Sequence, residues 1–193
     1  MLRRLYDYTM SLAARPRAMW FLGTVSFAES SFFPIPPDVL LIPMVLANRK
    51  KAWRIALLCS ICSVLGGILG YAIGAVFFNW IGDPIINFYG YADKFDKFTE
   101  AYNEWGGWIV AFFGLTPFPY KVITIASGVT HLNLAIFMLA SVLSRSLRFY
   151  LVAGLLWWFG EPIRDFIEKY LGLLTILFFV LLIGGFFALK YLL

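Results

Sequence analysis

Five ionisable side chains stand where an apolar sequence should not carry them: Glu29, Asp38, Lys121, Arg145 and Arg148. Glu29 follows a run of apolar residues. Asp38 and Lys121 come just after the proline clusters Pro34-Ile35-Pro36-Pro37 and Pro117-Phe118-Pro119, and Arg145 and Arg148 lie near the middle of the apolar run Leu132–Phe159. A charge held near the centre of a bilayer costs at least about 2.5–3.5 kcal/mol, so each needs a partner or a purpose. Three bases against two acids leave a surplus cation. The planar arginine fork matches phosphate with paired hydrogen bonds, and broken helices offer free backbone N–H groups to an anion. Partly desolvated carboxylates can carry protons as well as pair with arginine. The expected binding set is therefore Lys121, Arg145 and Arg148, with Glu29 and Asp38 as the proton- or cation-coupling set. The plainer alternative is that the five only neutralise one another.

Other chemistry finds little support. No G-x-S-x-G, H-E-x-x-H or P-loop signature occurs. His131 is the sole histidine, which excludes a two-histidine metal site, and it reads as an interfacial residue. Cys59 and Cys62 form a C-x-x-C inside an apolar run, where a redox or metal role would want an accessible polar turn; they read as small packing residues. The sequence thus calls for no enzyme, no metal and no cofactor.

The elements that must position the five charges follow from composition. The 193 residues are 61% hydrophobic and 14% charged, with mean hydropathy +0.80. A soluble domain averages about 45–50% apolar and about 25% charged, so the pattern is that of an integral membrane protein, all-α, of one domain. Ile55–Trp80 and Leu132–Phe159 each exceed the about 20 residues a spanning helix needs, and Leu171–Leu193 is a third span. Met19–Ala47 is interrupted by Pro34, Pro36, Pro37 and Pro43, and Gly107–Thr130 by Pro117 and Pro119. Proline breaks a helix, and broken backbone at membrane depth survives only where protein or a wet cavity covers it. Both stretches are expected to be re-entrant hairpins.

Lysine and arginine gather in residues 1–54, whereas acids outnumber bases in residues 83–104. By the positive-inside rule the N-terminus and the 48–54 loop are cytoplasmic, in a multi-pass inner-membrane protein. These bases flank lipid-length runs, so they mark topology rather than nucleic acid. No cleavable signal peptide is expected, and residues 2–14 and 83–104 read as interfacial amphipathic segments. At an offset of 83 residues Pro34-Ile35-Pro36-Pro37-Asp38-Val39 overlies Pro117-Phe118-Pro119-Tyr120-Lys121-Val122. Hairpin plus span (20–80) is thus repeated as hairpin plus span (105–160) with opposite orientation, and 170–193 adds a C-terminal helix. In transporters such an inverted repeat places a midplane site between broken helices. Gly66, Gly67, Gly70 and Gly74 give the first span a small-residue face for close packing against the opposed hairpin.

With Glu29, Phe33-Pro34-Ile35-Pro36-Pro37-Asp38, Gly70-Tyr71-Ala72-Ile73-Gly74, Thr116-Pro117-Phe118-Pro119-Tyr120-Lys121 and Ala126-Ser127-Gly128 quoted, the chain resembles the DedA family (SNARE-associated, VTT-domain proteins), the YqaA-like branch most. The resemblance covers about residues 20–160. It implies two opposed re-entrant hairpins between membrane helices, and ion-coupled transport of phospholipid or polyprenyl phosphate, such as undecaprenyl phosphate. It assigns the family's acidic pair to Glu29 and Asp38. The family shows an arginine three residues before the second-hairpin proline and another just after it. Here Gly114 and Lys121 occupy those places, and Arg145 and Arg148 are expected to supply the missing guanidinium. The implied partners are membrane lipids with an anionic phosphate, with protons or another cation; a homo-oligomer is compatible with the pattern. The competing readings are an ion-coupled small-solute carrier and a non-transporting structural membrane protein.

Overall fold

The computed structural model describes residues 18–88, 90, 92–116, 118–160 and 162; the expected amphipathic 2–14 segment, Pro117 and the C-terminal span of 170–193 lie outside them. The described residues are helical, with no strand among them. In chain order they form α1 (Ala18–Ser31), α2 (Asp38–Ala47), α3 (Ala52–Phe77), α4 (Asp83–Phe88), α5 (Ala92–Leu115), α6 (Tyr120–Val129) and α7 (Leu134–Gly160). A 3-10 turn at Arg49–Lys51 leads into α3, and a π-helical turn at Phe78–Gly82 leads out of it. Arg49–Phe77 and Leu134–Gly160 are long and apolar enough to cross a membrane.

The chain leaves the helical path at both proline clusters. α1 stops at Ser31, residues 33–36 have no regular structure, and α2 starts after Pro37. α5 stops at Leu115, and α6 starts after Pro119, whose backbone is extended. The element bounds recur along the chain: the ends of α1 and α5, the starts and ends of α2 and α6, and those of α3 and α7 differ by 82 to 84 residues. Pro43 departs from expectation. It sits inside α2 without ending it, because one missing N–H removes a single bond from a helix whose other residues keep theirs. α5 departs as well. One helix runs through both the amphipathic segment and the first apolar arm of the second break. No proline separates them, and Gly106 packs so tightly on Leu132 that a Cβ there would collide with its side chain.

Local signals fix the turn into α7. Thr130 ends α6, and His131 takes a left-handed φ of 49°. The Leu132 amide then donates to the Ser127 carbonyl at 3.0 Å and the His131 amide to Gly128 at 3.1 Å, the two bonds of a Schellman motif. Asn133 caps α7, its Oδ1 accepting from the amides of Ala135 (2.9 Å) and Ile136 (3.3 Å).

α3 is the central helix, flanked by α1 and α6. Glycine allows the approach: a Cβ at Gly66 would collide with the Phe27 carbonyl of α1, and one at Gly74 with the Ile125 carbonyl of α6. Lipid removes most of the hydrophobic drive between helices, so close contact and hydrogen bonds must hold them. Accordingly Ser26 donates to the Cys59 carbonyl at 2.8 Å and Ser31 to the Gly66 carbonyl at 2.9 Å, stitching α1 to α3. Two apolar clusters result. One gathers Leu22, Leu41, Val45, Ile55, Phe149 and Leu156 around α2; the other gathers Val110, Tyr120, Ile123, Leu132 and Phe137 around α6. Along α1, α3 and α7 the buried polar residues follow or separate the stretches that enter these clusters.

Candidate functional site

The polar layer is built mainly on α7, whose middle carries Ser141, Ser144, Arg145 and Arg148 between Phe137 of one cluster and Phe149 of the other. Arg145 and Arg148 are three residues apart and share a helix face, yet they engage different acids. Arg145, fully buried, donates from Nη2 to Glu29 Oε2 of α1 at 3.0 Å and from Nε to Ser63 Oγ of α3 at 2.6 Å. Its Cζ lies 4.7 Å from the ring centroids of both Tyr120 and Phe149, within cation–π range; Nη1 is buried without a hydrogen-bond partner. The Tyr120 hydroxyl in turn donates to Ser141 Oγ at 2.5 Å.

Arg148 donates from Nη2 to Asp38 Oδ2 at 2.5 Å and from Nη1 to the Thr116 carbonyl at 2.7 Å. Asp38 opens α2 after the first break and Thr116 opens the second, so one guanidinium joins both. This pair is more open than the first, with side-chain exposures of 15% for Arg148 and 20% for Asp38, while Asp38 Oδ1 is buried without a hydrogen-bond partner. The offset alignment places Asp38 opposite Lys121 and invites a pair between them. None forms: Asp38 pairs with Arg148, because α7 passes beside the start of α2. Lys121 stands half-buried in the first turn of α6, and no ion pair engages it among the described residues.

α1 and α6 meet where Thr124 Oγ1 donates to the Ser30 carbonyl at 2.9 Å, serving an acceptor left open where α1 ends. Of the small-residue face, Gly66, Gly70 and Gly74 leave no room for a Cβ, whereas at Gly67 it would meet only ordinary contacts from 3.5 Å. Gly66 faces α1, and Gly70 and Gly74 reach α6, so the face serves both neighbours of α3. Gly114 stands against Ser144, whose Oγ a Cβ would strike; the guanidinium that reaches the second break comes from α7. Pro34 is exposed, Pro36 half-buried, Pro37 buried, and Pro119 half-buried. Cys59 and Cys62 are both free thiols, and His131 is exposed at its turn. Among the described residues no cluster of three or more His, Cys, Asp or Glu could hold a metal.

Sequence reasoning missed Ser30, Ser63 and Tyr120, which complete the surroundings of Arg145. Ser63 was within reach of it, since it precedes Gly66, Gly67, Gly70 and Gly74 at helical steps on α3. Tyr120 gave no signal beyond its place after Pro119.

A family model described as the VTT domain matches residues 35–157, a range that includes the second half of the first break, the second break, and all of α3 and α6. The chain belongs to the VTT-domain family. Asp38, Ser63, Lys121, Arg145 and Arg148 fall within the VTT match, and Glu29 and Ser30 just before it. The chain is 39% identical over 186 residues to an uncharacterized protein of Haemophilus influenzae, covering 96% of each. It is 37% identical over 157 residues to an uncharacterized protein of Histophilus somni, covering 81% of this chain and 82% of that one. No solved structure matches. VTT-domain (DedA) proteins are membrane proteins. Two lipid-length helices with exposed apolar faces, Leu57, Ile61, Leu65 and Leu69 on α3 and Leu139, Leu143, Leu147 and Leu151 on α7, fit that membership.

Proposed function

We propose that this protein carries an anionic lipid phosphate, a phospholipid or polyprenyl phosphate, across the bacterial inner membrane. In this reading the two broken segments are opposed re-entrant hairpins, related as inverted repeats, and the headgroup enters between them. The observation that carries the proposal is the position of Arg148, which bridges Asp38 after the first break and the Thr116 carbonyl at the second. Arg148 is the more open of the two arginines, and its carboxylate partner keeps one oxygen unused. A phosphate can take the place of Asp38 on the same fork.

Lys121 supports the same reading. It adds a cation to the positive end of α6, which is unfavourable without an anion nearby, and α6 starts with no side-chain cap on its amides. Lys121 and Arg148 meet the headgroup, with Arg145 behind them. Asp38, released when the phosphate binds, is the group that takes up a proton or another cation and couples its movement to the lipid.

Purified protein in liposomes, given a labelled lipid phosphate with and without a pH gradient, tests the reading. The expected result is movement of lipid phosphate between leaflets that responds to the gradient and falls in Arg148→Lys. No movement above protein-free liposomes would overturn it. A structural role would then account for the two closed ion pairs, which also suit a protein that only holds its helices together.

A further inference from the structure

Glu29 and Arg145 do not form a simple pair. Arg145 Nη2 donates to Glu29 Oε2 at 3.0 Å, Ser30 Oγ lies 3.2 Å from the same oxygen, Ser30 and Ser63 Oγ are 2.7 Å apart, and Arg145 Nε donates to Ser63 Oγ at 2.6 Å. These four contacts close a ring over α1, α3 and α7. Both serines are buried, with exposures of 0%.

Donor chemistry fixes the direction of this ring. Arginine has no acceptor, so Ser63 accepts from Nε, and with Ser30 donating to Glu29 the Ser63 hydrogen points to Ser30. The Ser30 hydrogen then points to Glu29, which accepts from Ser30 and from Arg145 on one oxygen. Two donors, one of them a buried guanidinium, thus converge on a single Glu29 oxygen, and hydrogen bonds to an ionised acceptor are about twice as strong as those to a neutral one. A proton on that oxygen would displace these donors, and a neutral Glu29 would leave the buried Arg145 without a counter-charge. The charged and titratable groups around the ring are Arg145 and Arg148 on α7, Tyr120 on α6, Asp38 at the start of α2 and Cys59 on α3.

We infer that Ser30 and Ser63 are positioning residues that lock Glu29 as the permanent ionised counter-ion of Arg145. The second pair has no such ring: Arg148 rests on Asp38 and a backbone carbonyl, and Asp38 keeps a free oxygen. The two acids therefore divide the work. Glu29 holds charge, and Asp38 is left to exchange it. The division of roles rests on the transport reading, but the ring itself does not.

A hydrophobic carbodiimide, which modifies protonated carboxyls within membranes, reports the state of Glu29 by peptide mass spectrometry of the full-length protein in detergent. Wild-type Glu29 is expected to resist modification, and Ser30→Ala and Ser63→Ala to raise its labelling about tenfold, the scale of one lost net hydrogen bond. Ser26→Ala is the control, because Ser26 is equally buried but bonds only the Cys59 carbonyl. It should lower the melting temperature without exposing Glu29 to the reagent. Where alanine at 63 fails to fold, Ser63→Cys keeps the volume with a poorer acceptor and should give intermediate labelling. Wild-type labelling that already equals that of the serine variants would overturn the proposal, as would Ser26→Ala matching Ser63→Ala, or Ser63→Cys matching wild type. The labelling needs no lipid movement, so failure of the ring and failure of the transport reading are separate results.

Discussion

Arg148 lies 2.5 Å from Asp38 through Nη2 while Nη1 holds the Thr116 carbonyl. Three segments far apart in sequence, the start of α2, the end of α5 and the middle of α7, thus converge on one side chain. Removing the fork while keeping the charge separates the two contacts. Arg148→Lys is expected to cut lipid movement in liposomes by about tenfold or more, while the unfolding free energy in detergent falls by no more than about 1–2 kcal/mol, because the ammonium keeps the charge but lacks the planar fork that reaches both acceptors. Transport and melting measured on one preparation decide it.

Pairing of Asp38 with Arg148 rather than with Lys121 has its own signature. Asp38→Asn and Arg148→Gln should be non-additive in unfolding free energy, with a coupling of about 0.5–3 kcal/mol, whereas Asp38→Asn with Lys121→Gln should add within about 0.5 kcal/mol. Equal coupling in both double-mutant cycles would contradict the geometry.

The buried pair is more sensitive to the loss of one partner. Glu29→Ala leaves Arg145 uncompensated at 1% exposure, and a loss of about 3–5 kcal/mol is expected. Combining it with Arg145→Met should cost less than the sum of the two single changes, as measured by denaturant unfolding in detergent.

The glycines of α3 predict opposite outcomes at positions one and seven residues apart. Gly66→Ala and Gly74→Ala drive a methyl group into the backbone carbonyls of Phe27 and Ile125, and overpacking of about 1–3 kcal/mol is expected. Gly67→Ala meets only contacts from 3.5 Å and gains up to about 1 kcal/mol of helix propensity, so its melting temperature should match or exceed wild type.

The proposed re-entrant hairpins predict a labelling pattern. In a protein without Cys59 and Cys62, single cysteines at Lys50 and Asp93 should react with an impermeant reagent from opposite sides of the membrane, and cysteines at Arg17 and Arg49 from the same side. Reaction of the latter two from opposite sides would replace the first hairpin with a full crossing.

Much of the architecture was legible in the chain itself, because each signal is local. Proline clusters at Pro34–Pro37 and around Pro119 end α1 and α5 through missing donors and restricted φ. The apolar runs set the lengths of α3 and α7, and the repeated Pro-x-Pro elements give the spacing by which the helix bounds recur. The five out-of-place charges could be named from burial cost alone. What only the tertiary structure decided was which charge meets which. The sequence aligned Asp38 with Lys121, yet α7 crosses beside α2 and puts Arg148 there instead. Ser30 and Ser63 look like ordinary small residues in apolar helices until α1 and α3 close to the distance that their hydroxyls share with Arg145. Ion-pair choice and hydrogen-bond direction depend on contacts between residues 32 to 116 positions apart, and helical periodicity extends only along a single element.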